Sequence, residues 1–211
     1  MEEYEDKYWS MLDQVLVFRH KAAIDMVERG KILDIGCGDG LFLKMLSDKK
    51  MIVEGVDHSD QALSKARIKG LNVQKCDFAR EALPYNDNEF DYVTILDVLE
   101  HVYSPELLLA EAKRVTKKHI IISVPNFSSL PARLQVVLGR VPENNMPRKG
   151  HIYWFNYPVL KNLLKNNSLE IEEIRTNTIW RNKIFFGSFF HWLTKLFPNI
   201  FALSFVVCCR K

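Results

Sequence analysis

The chain has little with which to build a covalent or metal-stapled framework. It holds four cysteines, Cys37, Cys76, Cys208 and Cys209, none at metal-ligand spacing. They read as reduced, intracellular thiols, which excludes a disulfide scaffold and leaves no metal ligand set among them. The opening residues Met-Glu-Glu-Tyr-Glu-Asp lack the basic and apolar regions of a secretory signal, so a cytoplasmic location is expected. Repeats and low-complexity segments are absent. With 47% hydrophobic and 26% charged residues the composition is that of a globular protein, which excludes a disordered chain. Acidic residues are scarce in the second half. Only 5 of the 26 fall in residues 111–211, against 16 of the 29 Lys and Arg, so a half of net charge −8 is followed by one of +11. That asymmetry points to an anionic small molecule or an anionic surface beside a site in the basic half.

What the chain does have is Lys31-Ile-Leu-Asp-Ile-Gly-Cys-Gly-Asp-Gly40, a buried strand running into a glycine-rich turn and then a helix. Gly36, Gly38 and Gly40 let the turn take positive φ and let backbone approach a ligand closely. A dinucleotide fingerprint needs a third glycine at residue 41, which is Leu, so the spacing excludes NAD. Asp34, two residues before the first glycine, can meet a cationic ligand group. The run Met51 to Val56 ends at Asp57, an acid placed to reach ribose hydroxyls, and Leu71 to Cys76 ends at Asp77-Phe78, a carboxylate beside a ring for an adenine. Three strand ends then converge on one nucleoside that carries a positive charge.

Strands are predicted at 31–35, 52–56, 71–75, 91–96, 119–124, 169–176 and 202–209, and helices at 8–28, 40–48, 60–69, 105–115 and from Pro158 to Asn166. This is the βαβ rhythm of a doubly wound α/β sheet. Residues 127–155 show few strand signals and read as an insertion. The expected division of one domain over 1–211 is a helical cap (1–29), a cofactor core (30–126), the acceptor-side insertion (127–155), and a last helix with the final strands (156–211).

In Asp34 to Gly40, Asp57, Asp77, and the strand Phe90 to Asp97 followed by Leu99-Glu-His101, the chain resembles the class I S-adenosylmethionine-dependent methyltransferases over roughly residues 30 to 126. The resemblance implies a Rossmann-like, mostly parallel seven-stranded sheet with an antiparallel last strand. It implies S-adenosylmethionine as methyl donor, S-adenosylhomocysteine as product, and a cofactor shell of Asp34, Gly36, Cys37, Gly38, Gly40, Asp57, His58, Cys76, Asp77, Phe78, Leu96 and Asp97. Asp97-x-x-Glu100-His101 is similar to the ubiquinone-pathway O-methyltransferases, where the matching residues accompany a divalent metal. The first acid is Asp here rather than Glu, and no metal is expected. Asn126-Phe127, Arg133-Leu-Gln135, Leu138-Gly-Arg140 and Pro142 resemble the methionine-biosynthesis-associated methyltransferase-like family, which is coupled to homoserine acylation.

For the acceptor the expectation is a small, anionic or lipid-linked molecule methylated on oxygen, with His101 or His151 taking the proton. The alternative is a cofactor-binding partner of a biosynthetic enzyme with no transfer of its own. Asn126, Arg133, Arg140, Arg148, Lys149, His151, Tyr153 and Trp154 form the insertion's constellation of cations and rings. Asp97-Val-Leu-Glu100 stands where a base-amino methyltransferase has its Asn/Asp-Pro-Pro-Tyr/Phe tetrad, so nucleic acid is not expected. The aromatic stretch Ile184 to Phe197 is interrupted by Ser188, His191, Thr194 and Lys195 and cannot span a bilayer. It could lie in a membrane interface, cover the sheet edge, or join two copies, so a monomer and a homodimer both stay open.

Overall fold

The computed structural model describes residues 18–178 and 187–211. The part of the predicted N-terminal helix before residue 18, and residues 184–186 of the aromatic stretch, lie outside them. In chain order the strands are β1 (Lys31–Ile35), β2 (Ile52–Asp57), β3 (Asn72–Lys75), β4 (Phe90–Leu96), β5 (Thr116–Pro125), β6 (Glu170–Thr178) and β7 (Ala202–Arg210). They form one sheet in the order β3-β2-β1-β4-β5-β7-β6. β7 pairs antiparallel with both β5 and β6, so it alone runs against the other six.

The helices are α1 (Phe18–Met26), α2 (Leu41–Asp48), α3 (Asp60–Ile68), α4 (Pro105–Val115), α5 (Leu130–Val137), α6 (Tyr157–Asn166), α7 (Gly187–Leu196) and α8 (Pro198–Phe201). Helices on both faces bury the central strands completely, and such strands read as continuous apolar runs rather than alternating ones. Ile32, Leu33 and Ile35 of β1 and Ile120, Ile121 and Ile122 of β5 are buried without exception. On one face α1 and α2 pack Ala23, Ile24 and Phe42 against Ile32, Tyr92 and Ile121. On the other, α4 and α6 pack Leu108, Leu109 and Leu160 against Leu33, Val93 and Ile122. In α6 the buried Leu160, Leu163 and Leu164 follow the i, i+3, i+4 stripe, each worth roughly 1.5–3 kcal/mol of burial. Asn156 starts that helix by accepting the Val159 N–H at 3.0 Å. Cys208 and Cys209 are neighbours on β7 and point to opposite faces, one into each core, and all four cysteines are free and buried.

Two stretches are more ordered than their sequence signals suggested. The insertion contains α5 and two 3₁₀ turns, at Glu143–Asn145 and Pro147–Lys149. The aromatic stretch contains α7, and α8 follows it and leads into β7. No helix among the described residues is long and apolar enough to cross a membrane.

Position matters for function. The chain winds from β1 outward to β3, then returns to place β4 on the other side of β1. The carboxyl ends of β1 and β4 therefore flank the switch point where open α/β sheets form their ligand crevice.

Candidate functional site

The glycine turn is built by the sheet beneath it. Gly36 and Cys37 donate their N–H groups to Val56 O at 2.8 and 3.0 Å, and the Gly40 N–H closes the turn on Cys37 O at 3.0 Å. Gly36 and Gly40 sit at φ 75° and 78°, which L side chains rarely adopt. A Cβ on Gly36 would lie 2.4 Å from Val98 Cγ2, and one on Gly40 2.4 Å from Leu71 Cδ1. Both positions are closed to any larger residue by conformation and by space. Of the predicted shell, Cys37 and Cys76 bury their thiols in the core. Burial raises both thiol pKa values, that of Cys76 to about 11, and neither is a nucleophile at neutral pH.

Asp34 is 3% exposed and accepts the Thr94 hydroxyl at 2.5 Å. Burial pushes its carboxyl up to about 7, the Asp57 charge adding to the rise, while the Thr94 hydrogen bond and Arg19 oppose it. A cationic ligand beside it would favour the ionised form.

Asp57 also braces the turn itself. Its Oδ2 accepts the Gly38 N–H at 2.8 Å and its Oδ1 the Ser59 N–H at 2.9 Å, so the carboxylate clamps the glycine turn to the start of α3. Its main chain accepts the Cys76 N–H at 3.0 Å, which draws the end of β3 alongside. There the His58 ring meets Phe78 edge-on at 6.1 Å, and Asp77 is half-buried one residue before. A flat apolar face and a carboxylate thus stand together, as an adenine needs.

On the other side of the switch point Leu96 packs partly buried against the α1 core, and Asp97 holds φ 55°. Asp97 accepts the Ser123 hydroxyl and pairs with Arg19 Nη1 at 3.0 Å. Arg19 was not among the predicted residues. Nothing in the sequence separates it from the exposed Lys21, and only the docking of α1 sets it over Asp97 with its Nε buried and without a hydrogen-bond partner.

The tertiary structure brings His101 and His151 together although 50 residues separate them in the chain, with ring centroids 4.7 Å apart. The Ile152 and Tyr153 N–H groups both donate to Glu100 O, at 2.9 and 3.0 Å, which staples the end of the insertion to the 3₁₀ turn Leu99–His101. Beside them the Glu100 carboxyl is 1% exposed, with Oε2 unpartnered and Oε1 3.9 Å from His151 Nε2. Burial, reinforced by the Asp97 charge, raises the Glu100 pKa well above the usual carboxylate value. Burial lowers that of His151, so its imidazole is neutral at pH 7.

The rest of the insertion's constellation divides. Asn126 is fully buried and holds the chain, donating to Asn199 O and Ala202 O at 3.1 and 2.8 Å, and is not open to an acceptor. Arg133 donates to Ser128 O at 2.7 Å, Arg148 pairs with Glu143, and Arg140 and Lys149 are exposed. Tyr153 packs on Phe155 at 4.8 Å, while Trp154 is exposed with its ring 6.3 Å from that of Phe127.

Comparison with known proteins is consistent with this arrangement. The family described as MetW, methionine biosynthesis protein MetW, matches residues 19–207. A ubiquinone biosynthesis O-methyltransferase of Thiobacillus denitrificans is 29% identical over 153 residues, 68% of this chain and 66% of that protein. The chain thus spans just under two thirds of that relative. Among solved structures, an S-adenosylmethionine-dependent methyltransferase of Archaeoglobus fulgidus aligns over 100% of this chain and 95% of its own with a TM-score of 0.67 at 19% identity. The magnesium protoporphyrin IX methyltransferase of Synechocystis PCC 6803, solved with S-adenosylhomocysteine bound, aligns over 99% and 94% with a TM-score of 0.67 at 16% identity. The fold is the Rossmann-like one of these proteins.

Proposed function

The chain belongs to the family of the methionine biosynthesis protein MetW, and from that premise we propose that it binds S-adenosylmethionine and transfers the methyl group to an oxygen of a small acceptor. One observation carries the reading. A glycine turn closed to side chains lies between a buried carboxyl whose ionised form a cation would favour, Asp34, and the Asp57–Phe78 strand ends suited to a ribose and an adenine. The α-ammonium and sulfonium of the cofactor supply the positive charge, and its nucleoside the flat ring and hydroxyls.

Transfer is an in-line displacement at a carbon already activated by sulfur, so the protein's part is alignment and, for a hydroxyl acceptor, acceptance of its proton. His101 follows the carboxyl end of β4 and His151 lies against it, and in this reading they are the acceptor-side groups. The cations of the basic half favour an anionic or lipid-linked acceptor. A cytoplasmic protein acting on a small molecule, without nucleic acid, fits these features. The aromatic helix α7, with Phe189 and Trp192 exposed, is the segment that would touch a membrane or a second copy.

Titration calorimetry with S-adenosylmethionine, S-adenosylhomocysteine and NAD tests the cofactor. Micromolar binding of the first two and none of the third is expected, and the reverse overturns the reading. Formation of S-adenosylhomocysteine in the presence of a metabolite extract tests the transfer. Tight cofactor binding without any turnover would instead favour a regulatory partner of a biosynthetic enzyme.

A further inference from the structure

Four rings run in an unbroken row from the end of β4 onto the insertion. His101 meets His151 with centroids 4.7 Å apart, His151 meets Phe127 at 5.5 Å, and Phe127 meets Trp154 at 6.3 Å with the two planes tilted by 30°. The row ends on an indole that is 58% exposed. Trp154 nevertheless does not sit on a loose loop tip. The Ile152 and Tyr153 N–H groups are fastened to Glu100 O, and the Phe127 N–H donates to Phe155 O at 2.9 Å, so main-chain bonds brace the residues on either side of the indole. Asn156 Nδ2 donates to Ser128 Oγ at 3.1 Å and closes the neck of the insertion. A rigid aromatic surface held open to solvent gives up little conformational entropy when a ligand covers it.

Charge and polarity along the row limit what that ligand is. Lys149 is exposed two residues before His151, and its charge is one of those that act on the His151 ring. Arg148 beside it is exposed and pairs with Glu143. An anionic group suits that end. The imidazoles offer ring nitrogens to hydroxyls, whereas Phe127 and Trp154 offer apolar faces. With more than half of the indole in solvent, the platform covers one face of a ligand only. A flat aromatic acceptor laid on it would leave its second apolar face in water. A pyranose would not, because its C–H bonds give it an apolar face while its hydroxyls keep the rim hydrated.

We propose that this row of rings is the acceptor subsite for a pyranose sugar bearing an anionic group, a phosphate or a carboxylate. The C–H face of the sugar lies on Trp154, the anion at Lys149, and a hydroxyl at the His101–His151 pair. The subsite rests on the methyl-transfer reading for its reaction and not for its binding. Under that reading the hydroxyl oxygen bonds to the methyl carbon as the carbon–sulfur bond breaks. The electron pair of that bond stays on sulfur in S-adenosylhomocysteine, and the hydroxyl proton passes to an imidazole nitrogen of the pair.

The test titrates the full chain, with and without saturating S-adenosylhomocysteine, in a calorimeter. The probes are the anomeric phosphates of glucose, galactose and mannose, then glucuronate and galacturonate, inorganic phosphate, and dihydroxybenzoate as a flat aromatic anion. Saturation by at least one pyranose of this panel at millimolar concentration or below, and not by inorganic phosphate, is the expected result. The phosphate and uronate arms tell which anion the site takes. Trp154→Ala should weaken that binding by roughly 10-fold and Trp154→Phe much less. Lys149→Gln should weaken it by about 10-fold and flatten its dependence on salt. S-adenosylhomocysteine affinity and melting temperature, both unchanged, report that the variants fold. If Trp154→Ala does not fold, Trp154→Phe and saturation-transfer NMR on the parent serve, the protons of one sugar face receiving magnetisation from aromatic rings. Absence of binding by every pyranose of the panel, affinity unaltered by Trp154→Ala, or dihydroxybenzoate bound as tightly as the sugars overturns the proposal. Sugar binding by a chain that takes no S-adenosylhomocysteine sustains the subsite and overturns the transferase reading. S-adenosylhomocysteine binding without any sugar binding overturns the subsite alone.

Discussion

Arg19 of α1 and Asp97 at the end of β4 are joined by an ion pair of 3.0 Å that ties the N-terminal helix across the switch point of the sheet. Both side chains are about one-third exposed, so the pair contributes little to stability, on the order of 0–1 kcal/mol. Its significance is positional. The guanidinium stands near Asp34 and Asp97 with Nε unpartnered, where the carboxylate of an amino-acid-bearing cofactor would meet it.

Arg19→Met should therefore leave the melting temperature within a few degrees of the parent and weaken S-adenosylhomocysteine binding by about 10- to 100-fold, the loss of one charge-assisted interaction of roughly 1.5–3 kcal/mol. Calorimetry on the variant decides it. Unchanged affinity would confine Arg19 to holding α1.

The Asp34 carboxyl, raised to about 7 by burial, makes cofactor binding depend on pH. Its proton must leave for the carboxylate to face an ammonium, so affinity should rise between about pH 6 and 8 with uptake of a proton by the buffer. Stability of the empty protein runs the opposite way. A carboxyl whose folded pKa lies above its unfolded one contributes stability at low pH, and that contribution is lost as pH climbs toward 7. Asp34→Asn should then be neutral or stabilising at pH 8, abolish the pH dependence of binding, and cost at least 10-fold in affinity. Calorimetry in buffers of different ionisation enthalpy counts the proton, and a flat profile in the parent would contradict the assignment.

Gly36 meets two separate penalties if given a side chain: a left-handed φ and a Cβ 2.4 Å from Val98. Gly36→Ala should lose about 2–4 kcal/mol in a denaturant titration. Adding Val98→Ala makes room and should return part of that loss, leaving the conformational strain of about 1–2 kcal/mol. Complete recovery in the double variant would show that space alone reserves the position for glycine.

Asp57→Ala leaves the Gly38 and Ser59 amides without their acceptor. A stability loss of about 1–3 kcal/mol is expected together with weaker cofactor binding. If affinity fell with no change in melting, Asp57 would act on the ligand alone and its clamp on the turn would be of no energetic consequence.

Much of this was legible in the sequence for a physical reason. A buried parallel strand must be apolar along its length, and a tight strand-to-helix turn must be glycine-rich. Lys31 to Gly40 therefore declares both the central strand and the turn without reference to the rest of the chain. The helices α2, α3 and α4 were legible from their alternation with strands, and α6 from the proline that opens it. The insertion was less so, because α5 buries a single side chain, Ala132, and gives almost no amphipathic signal. The sequence placed Asp57 at the crevice but could not say that each of its oxygens also accepts a backbone amide, nor that Cys37 and Cys76 turn inward.

By itself the sequence determined the doubly wound sheet, the glycine turn and the row of acids at the strand ends, all set by local conformation and by burial patterns within single segments. The tertiary structure alone decided which distant groups meet: Arg19 over Asp97, and His151 beside Glu100 and His101. Those encounters depend on how α1 and the insertion pack over the carboxyl edge of the sheet. The side chains concerned carry no periodic signal, because their partners are fixed by docking rather than by spacing along the chain.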